Sequence, residues 1–256
     1  MLDLKEIGSF YPEYLRPFKK NLLREYLQCK ILEIIFSSKF GGNLCFMGGT
    51  AVHLIHANTR FSEDLDFDNQ GLNKGDVKKL TALIRRKLGL EGYAVEIKNV
   101  FKKAYCVHIK IKNILFEYGI SGHKQEKLLI KIDAEPQRFE YRGDKVILNR
   151  FDVFTRVNVV PVDILLSQKL YAIFNRKRAM GRDFYDAIFL SGKTRANMDY
   201  LKAKVKIKNG DDLKKKLLLR CAGLNFKSLV KDVEQFVFRP GDAKKILMFT
   251  DYVNSL

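Results

Sequence analysis

Asp64, Asp66 and Asp68 alternate with Leu65 and Phe67 in the run Arg60-Phe61-Ser62-Glu63-Asp64-Leu65-Asp66-Phe67-Asp68. Alternation is the period of a β-strand, so the carboxylates share one face and the apolar side chains the other. Two carboxylates two residues apart lie roughly 6–7 Å apart along a strand, from its ~3.3 Å rise. Both can therefore reach one hard cation, or a pair of cations about 4 Å apart. Like charges on one strand face repel and call for such a cation to compensate them. Asp68 continues the face but lies ~13 Å from Asp64 by the same rise, so it is expected at the periphery. Ahead of the aspartates, Gly48-Gly49-Thr50 stands between an apolar strand, Leu44–Met47, and a helix-like run over 51–57. A helix N-terminus reached through glycines presents free N–H groups and suits a phosphate, with Thr50 expected as the helix cap. Ser62, two residues before Asp64, points the same way and brings a hydroxyl donor. A phosphate cradle beside a carboxylate-held metal is the equipment of phosphoryl or nucleotidyl transfer.

A further carboxylate, Asp133, is the one acidic residue embedded in the apolar run Leu-Leu-Ile-Lys-Ile-Asp-Ala-Glu. An ionised carboxylate there needs a partner, and a metal supplies one. Glu135 shares its face and is the substitute. His53 and His56 stand three apart and make a metal half-site, but His108 and His123 add no zinc spacing. Cys29, Cys45, Cys106 and Cys221 are scattered without a close pair and read as buried free thiols.

These residues resemble the DNA polymerase β-type nucleotidyltransferase superfamily, and more closely its AbiEii/AbiGii toxin family, the MenT-like toxins included. That family's hallmark is a Gly-Gly-Thr/Ser turn, a short helix and Arg-x-Ser-x-Asp-(Leu/Ile)-Asp, all matched here. A second match lies at Lys169, Arg176, Arg182, Asp183 and Asp186, in the family's order of a helical Lys, an Arg and then Arg-Asp-x-x-Asp. The resemblance implies that Asp64, Asp66 and Asp133 hold Mg²⁺ (or Mn²⁺), with Asp133 on a neighbouring strand and taking up the proton of the attacking hydroxyl. It implies that Gly48, Gly49, Thr50 and Ser62 bind the triphosphate of an NTP substrate. Lys169 and Arg176, seven apart and so on one helix face, are expected to reach its β- and γ-phosphates. Arg182, Asp183 and Asp186 are expected behind them, the acids orienting the arginines or contacting the nucleotide.

Such a site needs elements to hold it, and 256 residues suffice for one large domain or two modest ones. Hydrophobic content of 46% with 12% aromatics excludes a disordered chain. No apolar run approaches roughly 18 residues, and Met-Leu-Asp-Leu-Lys-Glu lacks a signal peptide's layout, so the reading is a soluble cytoplasmic protein with no membrane partner. Periodicity predicts a helix over 17–38, strands over 44–47 and 61–68, and an amphipathic helix over 76–88 closed by Gly89. Strands over 93–100 and 104–111 follow, then 128–134 ended by Pro136, and short ones over 146–148 and 154–159. After Pro161 the pattern turns helical, over 162–174, 182–190, 211–221, 226–238 and 242–253. The expected fold class is α/β (α+β). A small mixed-sheet nucleotidyltransferase core with its N-terminal helix fills 1–160, and an α-helical domain over 161–256 completes the cleft.

A formal net charge of +18 implies a polyanionic partner, most often nucleic acid. Basic residues crowd the stretch from Lys202 to Arg220, opposed only by Asp211 and Asp212. The function expected is a metal-dependent nucleotidyltransferase, the toxin of a toxin–antitoxin or phage-defence pair. It would move a nucleotide from an NTP to RNA, with a tRNA 3′ end favoured, and would have a cognate antitoxin protein as a partner. The lysines between Lys202 and Lys216 would hold the RNA. Two alternatives stay open: transfer of NMP to a protein Ser, Thr or Tyr hydroxyl, and a non-catalytic regulator that binds GTP or RNA. The intact set Asp64, Asp66 and Asp133 argues against the second, because a binder has no need of it.

Overall fold

The computed structural model describes residues 1–101 and 104–255. Two compact units divide the chain: Met1–Ile55, Phe61–Arg138 and Gly143–Val159 form the first, and His56–Arg60, Phe139–Arg142 and Val160–Leu256 the second. The first unit opens with α1 (Leu4–Ser9), α2 (Lys19–Phe36), β1 (Leu44–Met47), α3 (Gly48–Leu54), β2 (Leu65–Asn69) and α4 (Lys74–Leu90). It continues through β3 (Val95–Phe101), β4 (Tyr105–Ile111), α5 (Ile114–Glu117), β5 (Leu128–Glu135), β6 (Asp144–Arg150) and β7 (Val153–Val159). The strands make one mixed seven-stranded sheet in the order β3-β4-β5-β2-β1-β7-β6. Its central pairs are β1 antiparallel to β2 and β2 parallel to β5.

Burial explains the sheet's two faces. Along β5, Leu128, Ile130, Ile132 and Ala134 are buried, while Lys131, Asp133 and Glu135 stand on the opposite face. Leu65 and Phe67 of β2 are fully buried on the same logic. Helix α2 is buried through most of its length, with Leu22, Leu23, Leu27, Ile31 and Ile35 in the core, and it packs along β7. Aromatic contact joins the sheet to α2: the Phe36 and Phe67 rings lie 6.2 Å apart.

The second unit is helical, with α6 (Val162–Asn175), α7 (Gly181–Ser191), α8 (Met198–Val205), α9 (Gly210–Ala222) and α10 (Phe226–Glu234). A 3₁₀ stretch, Pro240–Met248, and α11 (Phe249–Asn254) complete it. Phe184 and Phe249, both fully buried, meet edge to face at 4.9 Å between centroids. The short segment His56–Arg60 is tied into this unit by Phe238 N donating to Thr59 O at 2.9 Å and by an isolated bridge from Arg60 to Val237. Among the described residues, no helix is long and apolar enough to cross a membrane.

The expected α/β class and the helical C-terminal stretch are therefore present, with corrections in detail. Strand β2 starts at Leu65 rather than at 61, because the preceding backbone is held by side chains described below. Helix α4 runs through Gly89 to Leu90, and Glu91 rather than Gly89 caps it. The helix expected over 242–253 divides into the 3₁₀ stretch and α11. Helix α8 escaped the periodic reading, being only 8 residues long, although Asn197 caps it by accepting from Tyr200 N at 2.9 Å.

Candidate active site

One row of residues crosses the centre of the sheet. Met47 of β1 pairs in register with Asp66 of β2, Asp66 with Asp133 of β5, and Asp133 with Cys106 of β4. Residues opposed in register share a face, so parallel pairing of β2 and β5 brings two carboxylates side by side. The turn after Met47 is fitted to the first of them. Gly48 has φ +78, and a Cβ there would lie 2.1 Å from Asp66 Oδ2. Only glycine supplies that backbone conformation and leaves room for the carboxylate against the turn.

Asp64 sits one residue before β2, and the backbone there is pinned twice. Thr50 Oγ1 donates to the Asp64 carbonyl. Gln28, buried on α2, donates from Nε2 to the carbonyls of Ser62 and Glu63 at 3.1 and 2.9 Å. These bonds replace ladder pairing, which is why the strand begins late. They also correct the expectation for Thr50: helix α3 starts at Gly48 with Met47 in the cap position and no side-chain cap bond, and the Thr50 hydroxyl is directed to Asp64 instead. The N–H groups of Gly48, Gly49 and Thr50 are then those of the first helical turn, which lack an intrahelical acceptor. Asp68 is buried and accepts from Gln137 N at 2.7 Å, which fixes the chain after β5 and leaves it outside the row.

Asp64, Asp66 and Asp133 offer only oxygen donors, the ligand type a hard divalent cation takes, and Asp66 and Asp133 are adjacent across two strands. Among the described residues, no group of three or more His, Cys, Asp or Glu side chains is already gathered tightly enough to hold an ion. Cys106 at the end of the row is a half-buried thiol. Burial, its hydrogen bond to Asp133 and the charges of Asp133 and Asp64 push it up to about 11, so it stays a neutral S–H donor at physiological pH. Behind the turn, His53 Nε2 meets Glu25 Oε2 at 2.8 Å and Arg150 meets Glu25 Oε1 at 2.7 Å. Burial alone would raise the Glu25 carboxyl, but His53 and Arg150 hold it below the usual range. His53 thus joins α3 to α2.

The downstream motif residues gather in the helical unit. Lys169 Nζ, nine-tenths buried, lies 2.9 Å from Asp186 and 3.6 Å from Asp183. Arg176 Nε reaches Asp183 at 2.9 Å. Arg60 closes the cluster, its Nε donating to Asp186 Oδ1 at 2.6 Å and its NH2 to Oδ2 at 2.5 Å, while Asn58 Nδ2 donates to Oδ1 at 2.8 Å. Burial would raise the Asp186 carboxyl, yet Arg60 and Lys169 hold it below its usual value. Arg182, half-buried on α7, stands outside these ion pairs. The partnership of Arg60 with Asp186 joins the first motif block to the second. Sequence alone does not give this partnership, for opposite charges are its only signal there. Gln28 gave no signal at all, and Cys106 gave only its place on an alternating strand.

A family profile described as nucleotidyl transferase AbiEii toxin, type IV TA system, matches residues 30–246. The chain belongs to this family. It is accordingly a nucleotidyltransferase of the toxin class, and the two-component nature of such systems implies a cognate antitoxin. Among solved structures, the AbiEii chain is similar to JHP933 from Helicobacter pylori, at 17% identity and TM-score 0.56 over 92% of each chain. It is also similar to a second H. pylori protein, a candidate nucleotidyltransferase, at 18% identity and TM-score 0.55 over 91% of this chain and 94% of that one. At such identities the likeness speaks for the fold alone. None of the curated proteins matches.

Proposed function

We propose that this AbiEii chain transfers a nucleotide from an NTP to an RNA hydroxyl, the 3′ end of a tRNA first among candidates, with release of pyrophosphate. The observation that carries the reading is the register row in which Asp66 and Asp133 stand side by side against the Gly48 turn. Asp64, Asp66 and Asp133 would hold Mg²⁺, or Mn²⁺ in its place. A divalent cation bound there neutralises triphosphate charge and polarises the reacting phosphorus. The N–H groups of Gly48, Gly49 and Thr50, with the Ser62 hydroxyl, bind the phosphates. Asp133 takes the acceptor's proton as the hydroxyl oxygen bonds to the α-phosphorus and the bond to pyrophosphate breaks. Lys169 and Arg176 are assigned to the phosphates' negative charge, with Asp183, Asp186 and Arg182 orienting them. RNA as acceptor is supported by the net charge of +18 and by the lysines between Lys202 and Lys216.

The direct test is incubation with each α-labelled NTP, total cellular RNA and total protein, read on a denaturing gel. Label in nuclease-sensitive bands of tRNA size is the expected result. Label in protein would move the acceptor to a Ser, Thr or Tyr hydroxyl. Binding of nucleotide without any label would turn the chain into a regulator. Lys169→Ala should weaken nucleotide binding, and Lys169→Arg should rescue it only partly, because a planar fork does not replace a point charge.

A further inference from the structure

Helix α4 carries a second basic surface, this one in the unit that holds the carboxylate row. Its buried face is Val77, Leu80, Thr81, Ile84 and Leu88. Its outer face presents Lys74, Lys78, Lys79, Arg85, Arg86 and Lys87, all exposed. The helix's one acid, Asp76, is occupied in the capping box with Asn73. Among the described residues, none of these six cations enters an ion pair, whereas Lys216 of α9 pairs with Asp212. Cations left without counter-charges on one helix face repel each other and favour a polyanion.

The surface is more than a charge run, because it borders a cavity. Between α4 and β3, an edge strand of the sheet, lies a groove of about 620 Å³ with Lys78, Arg85 and Arg86 on its wall. Leu90, 77% exposed at the helix end, gives it an apolar rim. Asn99 of β3 contributes a buried acceptor. Thr81 Oγ1 donates its only proton to the Lys78 carbonyl at 3.0 Å, so it can only accept from Asn99 Nδ2 at 3.2 Å. That fixes the amide's orientation and leaves Asn99 Oδ1 as the buried oxygen without a partner.

We propose that this groove binds a strand of RNA, with Lys78, Arg85 and Arg86 on its phosphates and Asn99 Oδ1 accepting from a ribose hydroxyl or base amine. The inference rests on the RNA-acceptor reading above and assigns it a surface. Lys78 and Arg86 are eight residues apart, ~12 Å along the helix axis, so they can reach phosphates that are not adjacent on one strand. A simple anion would use the cations but offers no donor for Asn99. RNA brings both, and the 2′-hydroxyl is the donor that DNA lacks.

The test is the affinity of the full chain for a fluorescein-labelled mixed-sequence RNA 20-mer, and for the matching DNA, against salt concentration. In the triple variant Lys78→Gln, Arg85→Gln, Arg86→Gln the slope of log K on log salt should flatten by about two, from ~0.7 per lost contact on a single strand. NTP binding and melting temperature should not move, since these side chains are exposed and no role in the carboxylate row falls to them. Asn99→Leu should keep the slope and shrink the preference for RNA over DNA severalfold. If wild type binds RNA and the triple variant keeps its slope, the groove is refuted and the RNA reading survives. If wild type binds neither strand but captures an acidic extended peptide on the β3 edge, both fail.

Discussion

The two motif blocks of this chain end in opposite electrostatic arrangements. In the sheet unit, Asp66 and Asp133 stand beside each other, with Asp64 just before the strand and a neutral thiol at the end of the row. In the helical unit, Asp183 and Asp186 are interleaved with Lys169, Arg176 and Arg60. In the second arrangement the acids are already matched by cations, so the loss of Asp183 or Asp186 should be felt as lost stability. The first gathers like charges that a bound cation would stabilise, so its loss should be felt as inactivity. On the proposed reading the motif mixes groups for chemistry with acids that hold them, and their neighbours tell the two apart.

The largest effect expected is on catalysis in the sheet unit. Asp66→Ala and Asp133→Ala should each lower nucleotide transfer by at least about a hundredfold, since a lost metal contact costs several kcal/mol. Melting temperature should hold or rise as repulsion is relieved. Activity above roughly a hundredth of wild type in either folded variant would falsify the metal assignment.

Asp186→Ala reverses the pattern. It leaves Arg60 and Lys169 buried without their shared carboxylate, and breaking a buried pair on one side costs about 3–5 kcal/mol. At ~2–4 °C per kcal/mol for a chain of this size, a drop of roughly 10 °C in melting temperature is expected. An unchanged melting temperature would remove the architectural role and return Asp186 to the chemistry.

Acid should separate the regions more gently. Because the Asp186 carboxyl is held below its unfolded value of about 3.9, its stabilising effect is fully present above that pH. It is lost as pH falls through the lowered folded value. Wild type should thus lose melting temperature more steeply between about pH 4 and pH 2 than Asp186→Asn does. Parallel curves for the two would show that other acids, Glu25 among them, carry the acid transition.

The smallest effect concerns Cys106. Cys106→Ser keeps a donor for Asp133 and should alter transfer by roughly twofold or less, whereas Cys106→Val removes it and should raise the metal concentration needed for half-maximal rate by several-fold. Equal behaviour of the two variants would show that the thiol only fills space.

What the amino-acid sequence determined by itself was local. Alternation placed Asp66 on a strand between buried Leu65 and Phe67, because side chains on a strand have nowhere else to point, although the strand begins only after Asp64. The glycine pair marked the turn before α3, and Gly48 does have the positive φ that such a turn requires. Apolar periodicity found most helices longer than ten residues. Order and spacing of the two motif blocks pointed to the family without any long-range information.

Tertiary structure decided everything that depends on which segments meet. Parallel pairing of β2 with β5, residues far apart in the chain, chose Asp133 over Glu135 as the neighbour of Asp66, and no periodicity encodes that register. Packing of α2 beneath the sheet gave Gln28 the backbone of Ser62 and Glu63 to hold, and so delayed the strand. Thr50 passed from cap to tether because its hydroxyl met Asp64 O, a partner that the local helix signal cannot contain. Arg60 found Asp186 for the same reason: a buried arginine and a buried aspartate must be matched, but the match is made in space, 126 residues along the chain.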